Sequence, residues 1–228
     1  MSLTGISDNA LLGLSDEHLV SLANGHRLQP AAAAAFARLQ AAAADAGFNL
    51  APASSFRSFD RQMAIWNGKF DGSRPLLDAD SRPLDALALD ERQRIAAILH
   101  WSALPGTSRH HWGTDLDIYD PTLLPTGTRL RLEPWEYGPE GYFYPLTRWL
   151  DTNLARFGFF RPYRRPQGGV AVEPWHLSYR PLAKSCAARL TPALVAAAIS
   201  TRPVAGKGHI LKQLDDIFVR FIRNITED

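Results

Sequence analysis

Two stretches decide how this chain is read: Ser108-Arg109-His110-His111-Trp112-Gly113-Thr114-Asp115-Leu116-Asp117, and Glu173-Pro174-Trp175-His176. They bring imidazoles from two places, carboxylates in a strand-like context, and a spare glutamate. Residues 114–119 alternate, with Leu116 and Ile118 on one face and Asp115 and Asp117 on the other. Gly113 stands between His110 and Asp117 and can turn the chain. Glu173 precedes His176 by three residues, so it can sit beside a metal without binding it. Such a supply suits a zinc hydrolase, which needs three protein ligands, one position open to water, and one base.

Two histidines and one aspartate leave zinc a strong Lewis acid, able to bring the pKa of a bound water down to ~7. Amide hydrolysis also needs a proton carrier, and Glu173 is the candidate. Spacing does not separate neighbours. Asp117 is the expected ligand and Asp115 a substrate contact or a supporting group. His110 and His111 stay alternatives on spacing alone.

A third segment agrees with these two: Ser54-Ser55-Phe56-Arg57-Ser58-Phe59-Asp60-Arg61-Gln62. Together, Ser-x-His-x-x-Gly-x-x-x-Asp, Glu-x-Trp-His and this segment resemble the VanY-type D-alanyl-D-alanine carboxypeptidases, a zinc metallopeptidase family whose arginine motif is Ser-Gly-Tyr-Arg-Ser-x-x-x-Gln. The likeness covers about residues 30 to 180, in the family's order. It implies zinc (Zn2+) on His110, Asp117 and His176, a catalytic base at Glu173, and Arg57 at the scissile carbonyl or the substrate's carboxylate. A fixed guanidinium suits an oxyanion or a carboxylate on physical grounds as well. Gln62, Ser108 and Asp115 are the expected substrate-side polar residues. The sequence departs from the family pattern at Phe56, Ser55 and Asp115, in the bulky Trp112, and in the long stretch from 67 to 99. These departures bear on substrate choice more than on metal chemistry.

The resemblance implies an α+β fold of the hedgehog/DD-peptidase-like kind, a small antiparallel sheet flanked by helices with zinc on the sheet. The pattern of helices early, strands at the site and helices late agrees. The expected division is a helical extension at 1–29, a peptidase core at 30–180, and C-terminal helices at 181–228 that pack on the core. Pro30 opens the clearest helix, closed near Gly47, with Phe36, Leu39 and Ala43 on one face. Ser15 reads as the N-cap of an earlier helix. Residues 50–55 read as a strand that delivers Arg57, and 60–66 as a helix with Gln62 in its first turn. Residues 67–85 read as a long loop, 90–101 and 144–157 as helices, and 128–132 and 169–172 as strands. Thr191 caps a helix, and an apolar stripe from Leu211 to Ile225 forms the last one.

The 228 residues, 46% of them hydrophobic, fit an ordinary globular domain with or without an appendage. A net charge of +2 without a dense Lys/Arg block gives no support for nucleic acid binding. Arg161, Arg164 and Arg165 read as a solvated loop. A single cysteine, Cys186, excludes an internal disulfide. No stretch reaches the roughly 18 apolar residues of a membrane span. Residues 1–20 lack the basic start and apolar run of a signal peptide, so a cytoplasmic location is expected, or a periplasmic one if a leader was removed. The expected activity is release of a terminal D-amino acid from peptidoglycan peptides. The rivals are a D,D-dipeptidase or wall endopeptidase of the same fold, and a non-catalytic zinc-containing peptidoglycan-binding module. Oligomeric state is not legible.

Overall fold

The alternation at residues 114–119 becomes an inner strand of a four-stranded antiparallel sheet. The structure, a computed structural model, describes residues 5–227; positions 1–4 of the expected N-terminal extension and position 228 of the C-terminal segment lie outside the described residues. In chain order come helix α1 (Asp8–Leu11), hairpin β1 (Val20–Ser21) and β2 (Arg27–Leu28), helix α2 (Pro30–Asp45), strand β3 (Ala51–Ser54), helix α3 (Phe59–Phe70), hairpin β4 (Leu76–Leu77) and β5 (Pro83–Leu84), and helix α4 (Glu91–Trp101). Strand β6 (Asp115–Tyr119), helices α5 (Pro134–Tyr137) and α6 (Tyr144–Asn153), and strands β7 (Phe159–Phe160) and β8 (His176–Tyr179) follow. The chain closes with α7 (Arg180–Arg189), α8 (Pro192–Ser200), α9 (Lys207–Lys212), α10 (Leu214–Ile217) and a π-helical turn at Phe218–Ile222.

The main sheet runs β3-β6-β8-β7. One face is apolar. Leu116, Ile118, Leu177 and Phe159 pack with Phe36, Leu39 and Ala43 of α2 and with Leu146 and Leu150 of α6. Each such Leu, Ile or Phe side chain contributes roughly 1.5–3 kcal/mol when fully buried. Because strand side chains alternate, fixing this face fixes the other: Asp115 and Asp117 of β6, and His176 and Ser178 of β8, must point away from α2. A second core joins Leu11, Phe59, Trp66, Ile98 and Trp112 to Ile199, Ile210 and Phe218, so the C-terminal helices share their interior with α3 and α4. Mixed helix and antiparallel sheet is the expected α+β class.

Several expected elements differ. Ser15 caps no helix; Ser7 caps α1 by accepting from the Ala10 amide, and the chain turns at 15–19. Helix α3 runs past Trp66 to Phe70. Asn67 and Gly68 are poor interior residues, but Asn67 bridges to the Pro203 carbonyl and the Ala205 amide, and that tertiary anchoring overrides propensity. The expected loop at 67–85 therefore shrinks and holds a small hairpin. Residues 128–132 and 169–172 pair with no strand among the described residues. Leu132 takes a left-handed φ of 56°, and the Ala171 amide donates to the His100 carbonyl instead of to a sheet. The C-terminal stripe is broken at Gln213 into short helices, with Leu211 exposed and Leu214, Ile217, Phe218 and Phe221 buried. Arg161 is buried and paired with Asp151 at 2.5 Å, not solvated. Among the described residues no single helix is long and apolar enough to cross a membrane.

Candidate active site

Strand register builds the first half of the site. Asp117 stands directly opposite His176 across β6 and β8. Directly opposed antiparallel residues bring their Cβ atoms within about 4.5–5.5 Å, so a carboxylate and an imidazole on one polar face must meet. Asp117 Oδ1 lies 3.5 Å from His176 Nδ1. His110 arrives from a 3₁₀ turn at Arg109–Trp112 that ends on Gly113 with φ 66°. At that left-handed φ an L side chain is strained, and its Cβ would also stand 3.2 Å from the Gln29 amide nitrogen, so the turn that returns His110 to β6 calls for glycine. His110 Nε2 then lies 3.4 Å from Asp117 Oδ2.

The remaining hydrogen bonds fix which atoms face inward. His110 Nδ1 meets the Ser55 carbonyl at 2.8 Å, so it carries the proton and leaves Nε2 as a free donor pair. His176 Nε2 meets Asp115 Oδ1 at 3.0 Å, which leaves Nδ1 toward Asp117. Ligand atoms of His110, Asp117 and His176 all lie within 4.8 Å of one another, and all three residues are buried. Asp117 Oδ1 is buried without a hydrogen-bond partner. A carboxylate oxygen left so is costly unless a cation meets it. Two imidazole nitrogens and one carboxylate form a donor set that zinc accepts readily. The residues therefore fit a metal ion, and the orphaned oxygen marks where it would be met.

Behind this cluster lies a buried support. Asp115, with no exposed surface, accepts from Arg109 Nε at 2.8 Å, Thr114 Oγ1 at 2.5 Å and His176 Nε2. Arg109 also donates to Ser178 Oγ and lies 4.7 Å from the Trp112 ring centre. Burial alone would raise the Asp115 carboxyl, but the Arg109 charge and the His176 and Thr114 hydrogen bonds hold it well below the usual carboxylate range. Asp115 is thus placed to orient His176, not to touch a substrate. Burial would also lower the His176 pKa; hydrogen bonds to Asp115 and Glu173 outweigh it and push it up to about 10. The field at that ring is strongly negative.

Glu173 Oε2 lies 3.1 Å from His176 Nδ1, beside the cluster and facing the same cavity. Arg57 enters from the β3–α3 connection. Its Nη1 donates to Gln62 Oε1 at 2.9 Å, its Nη2 to Ser54 Oγ at 3.2 Å, and Nη2 lies 4.0 Å from Asp117 Oδ2. Gln62 is fully buried and spends its amide on the Ala103 carbonyl, so it holds Arg57 instead of lining the cavity as expected. Ser108 does line the cavity. His111 separates cleanly from His110. The Gly106 amide donates to its Nε2, so its Nδ1–H donates to the Arg57 carbonyl at 2.6 Å. Burial pushes its pKa down to about 3, and it is a neutral strut.

These groups share a cavity of about 480 Å³ with residues that the sequence reading left out: Tyr163, Lys69 and Arg74. The Tyr163 ring stands edge-on to His176 with centres 5.1 Å apart. Lys69 stands seven residues, two helical turns, beyond Gln62, in the last turn of a helix that the sequence pattern predicts to end at Trp66.

Comparison with known proteins bears on the family and the fold. The VanY family model, D-alanyl-D-alanine carboxypeptidase, matches residues 25–182. An uncharacterized protein of Haemophilus influenzae is 41% identical over 121 residues, covering 52% of this chain and 92% of that protein. A D-alanyl-D-alanine carboxypeptidase of Enterococcus faecalis is 30% identical over 130 residues, covering 56% of this chain but only 38% of that protein. Among solved structures, VanYB in complex with D-alanine-D-alanine is 28% identical with a TM-score of 0.54, over 75% of this chain and 82% of that one. A vancomycin-resistance D,D-pentapeptidase VanY mutant in complex with Zn(II) is 29% identical with a TM-score of 0.51, over 75% and 83%. Sequence motifs, fold and family match converge: this chain belongs to the VanY family of D-alanyl-D-alanine carboxypeptidases.

Proposed function

We propose that this protein is a zinc-dependent carboxypeptidase that removes a terminal D-amino acid, D-alanine in the first instance, from peptidoglycan-derived peptides. The observation that carries the reading is the buried Asp117 carboxylate, one oxygen of it without a hydrogen-bond partner, between two inward-facing imidazole nitrogens, with Glu173 and Arg57 on the same cavity. His110 through Nε2, Asp117 through its carboxylate and His176 through Nδ1 would hold the ion. Zinc there would supply Lewis acidity to the scissile carbonyl and make water a competent nucleophile near neutral pH.

The chain's own groups do the rest. Glu173 accepts a proton from the attacking water and delivers it to the amide nitrogen, so that the C–N bond breaks to a carboxylate and a free amine. Arg57 faces the carbonyl oxygen as negative charge builds on it. Its guanidinium is already held by Gln62 and Ser54, so little reorganisation is required at the moment of reaction. Asp115 and Arg109 keep the His176 ring turned with Nδ1 forward.

The test is release of D-alanine from murein tetrapeptide and pentapeptide, with and without chelator. Chelator-sensitive release supports the reading, and the preferred peptide separates L,D- from D,D-cleavage. Glu173→Gln should abolish turnover while zinc stays bound at one ion per chain. Full turnover in that variant removes Glu173 from its role. No release from either peptide by the zinc-loaded protein removes the carboxypeptidase reading.

A further inference from the structure

The cavity has one wall that hydrolysis does not use. Lys69, near the end of α3, and Arg74, just beyond it, line the same space as Arg57 and Glu173. Lys69 is half-buried, and its ammonium donates to Ser102 Oγ at 2.7 Å. Among the described residues no carboxylate lies within ion-pairing distance of Lys69 or Arg74, whereas the buried Arg109 and Arg161 each hold an aspartate. Burial pushes the Lys69 pKa down to about 8, with Glu173 working against it and Arg57 and Arg74 adding to it. A half-buried cation kept without a counter-charge is a cost to the fold unless an anion arrives.

The sequence builds this wall deliberately. The Arg74 stem crosses α3 at Gly68, where an added Cβ would stand 2.9 Å from Arg74 Cδ. The Arg74 amide donates to the Gly68 carbonyl at 2.8 Å, which fixes the crossing. Lys69 is also linked to the reaction groups: Arg57 holds Gln62, Gln62 holds the Ala103 carbonyl, and neighbouring Ser102 holds Lys69. The carboxylates on the cavity wall are already committed. Asp117 belongs to the cluster, Glu173 meets His176, and Glu133 accepts from Trp135 Nε1 at 2.6 Å.

We infer that Lys69 and Arg74 form a carboxylate-binding subsite that grips a free carboxylate of the peptide beside the scissile bond. The inference rests on the proposed peptidase reading and adds the group that selects an acidic peptide over its neutral counterpart. Two carboxylates carry that chemistry, the chain-terminal one and one on a side chain, and amidating each in turn tells them apart.

The experiment compares zinc-loaded parent, Lys69→Met and Lys69→Arg. Each is given one peptidoglycan pentapeptide as the free acid, as the C-terminal amide, and as the side-chain amide. Binding is followed by calorimetry in the Glu173→Gln background, and hydrolysis by KM and kcat in the active one. A charge-assisted contact of this kind corresponds to about 10- to 100-fold in affinity. The expected result is that the parent binds the free acid that much more tightly than one of the amides. Lys69→Met should lose the preference with a raised KM and little change in kcat, and Lys69→Arg should restore much of it. If Lys69→Met still hydrolyses the peptide and keeps the parental acid-to-amide ratio, the subsite is overturned while the peptidase reading stands. If the parent neither binds nor cleaves any of these peptides, the peptidase reading falls and takes the subsite with it.

Discussion

Asp115→Asn tests the support behind the proposed metal cluster. The substitution keeps the shape of the side chain and removes its charge. Asp115 has no exposed surface and Arg109 is 5% exposed, so the guanidinium would lose its counter-charge where water cannot replace it. Breaking a buried pair from one side costs about 3–5 kcal/mol. For a chain of this length that is a fall in Tm of roughly 6–20 °C, at about 2–4 °C per kcal/mol. The second effect is on the ion. His176 would no longer donate to a carboxylate, and losing such an outer partner lowers metal affinity about 10- to 100-fold. The assays are thermal unfolding of the zinc-free protein and zinc competition against a chromophoric chelator. Arg109→Met combined with Asp115→Asn should recover part of the lost stability but none of the lost zinc affinity. A single variant whose Tm stays within about 2 °C of the parent, with zinc affinity within about threefold, would refute the argument that this pair supports the site.

Three further outcomes are expected. Arg57→Lys keeps the charge but loses the fork held by Gln62 and Ser54, so kcat should fall about 10²- to 10³-fold with zinc content unchanged; a kcat within fivefold counts against a role at the carbonyl. Gly113→Ala places a side chain at φ 66° against Leu19 and the Gln29 amide, and should cost at least ~1 kcal/mol in urea unfolding; unchanged stability would contradict the turn geometry. KM for a carboxylate-bearing peptide should rise as pH passes about 8, because the lowered Lys69 pKa means the ammonium is charged below that value and neutral above it. The groups facing Lys69 are Glu173, Arg57, Arg74 and the Ser102 hydroxyl. A KM flat from pH 7 to about 9.5, with Lys69 expected to titrate near its lowered value, speaks against the charge being used.

Much of the site was legible because it depends on short-range rules. Period-two alternation told which face Asp117 occupies, and the Pro30 start with Phe36, Leu39 and Ala43 on one side told that a core-packing helix lies there; that it covers this sheet is seen only in the fold. The choice between His110 and His111 was not legible from spacing. It is made by the Ser55, Arg57 and Gly106 backbones, more than fifty residues away or across a turn. Gln62 and Asp115 looked like substrate contacts because a polar residue beside a motif gives no sign of its burial; their partners Ala103 and Arg109 became neighbours only through folding. The supposed strand at 169–172 fails for a related reason: Gly169 lies against the Arg220 carbonyl, where a Cβ would stand at 2.1 Å, so that segment is claimed by the C-terminal turn.

The paired backbone contact between Arg57 and the 110–111 turn has a consequence for how such a protein can be altered. The Arg57 amide donates to the His110 carbonyl, and the next imidazole, His111, returns a hydrogen bond to the Arg57 carbonyl. The guanidinium and the inward imidazole are therefore mounted on a single cross-chain rung. Their separation does not depend on how many residues the intervening chain uses to travel between them. Insertions or deletions around the β4–β5 hairpin would alter the cavity's outer wall and leave the spacing of the reactive groups untouched. The rung fixes the reactive pair, and the β4–β5 hairpin beyond Arg74 is the stretch whose length can change without moving it.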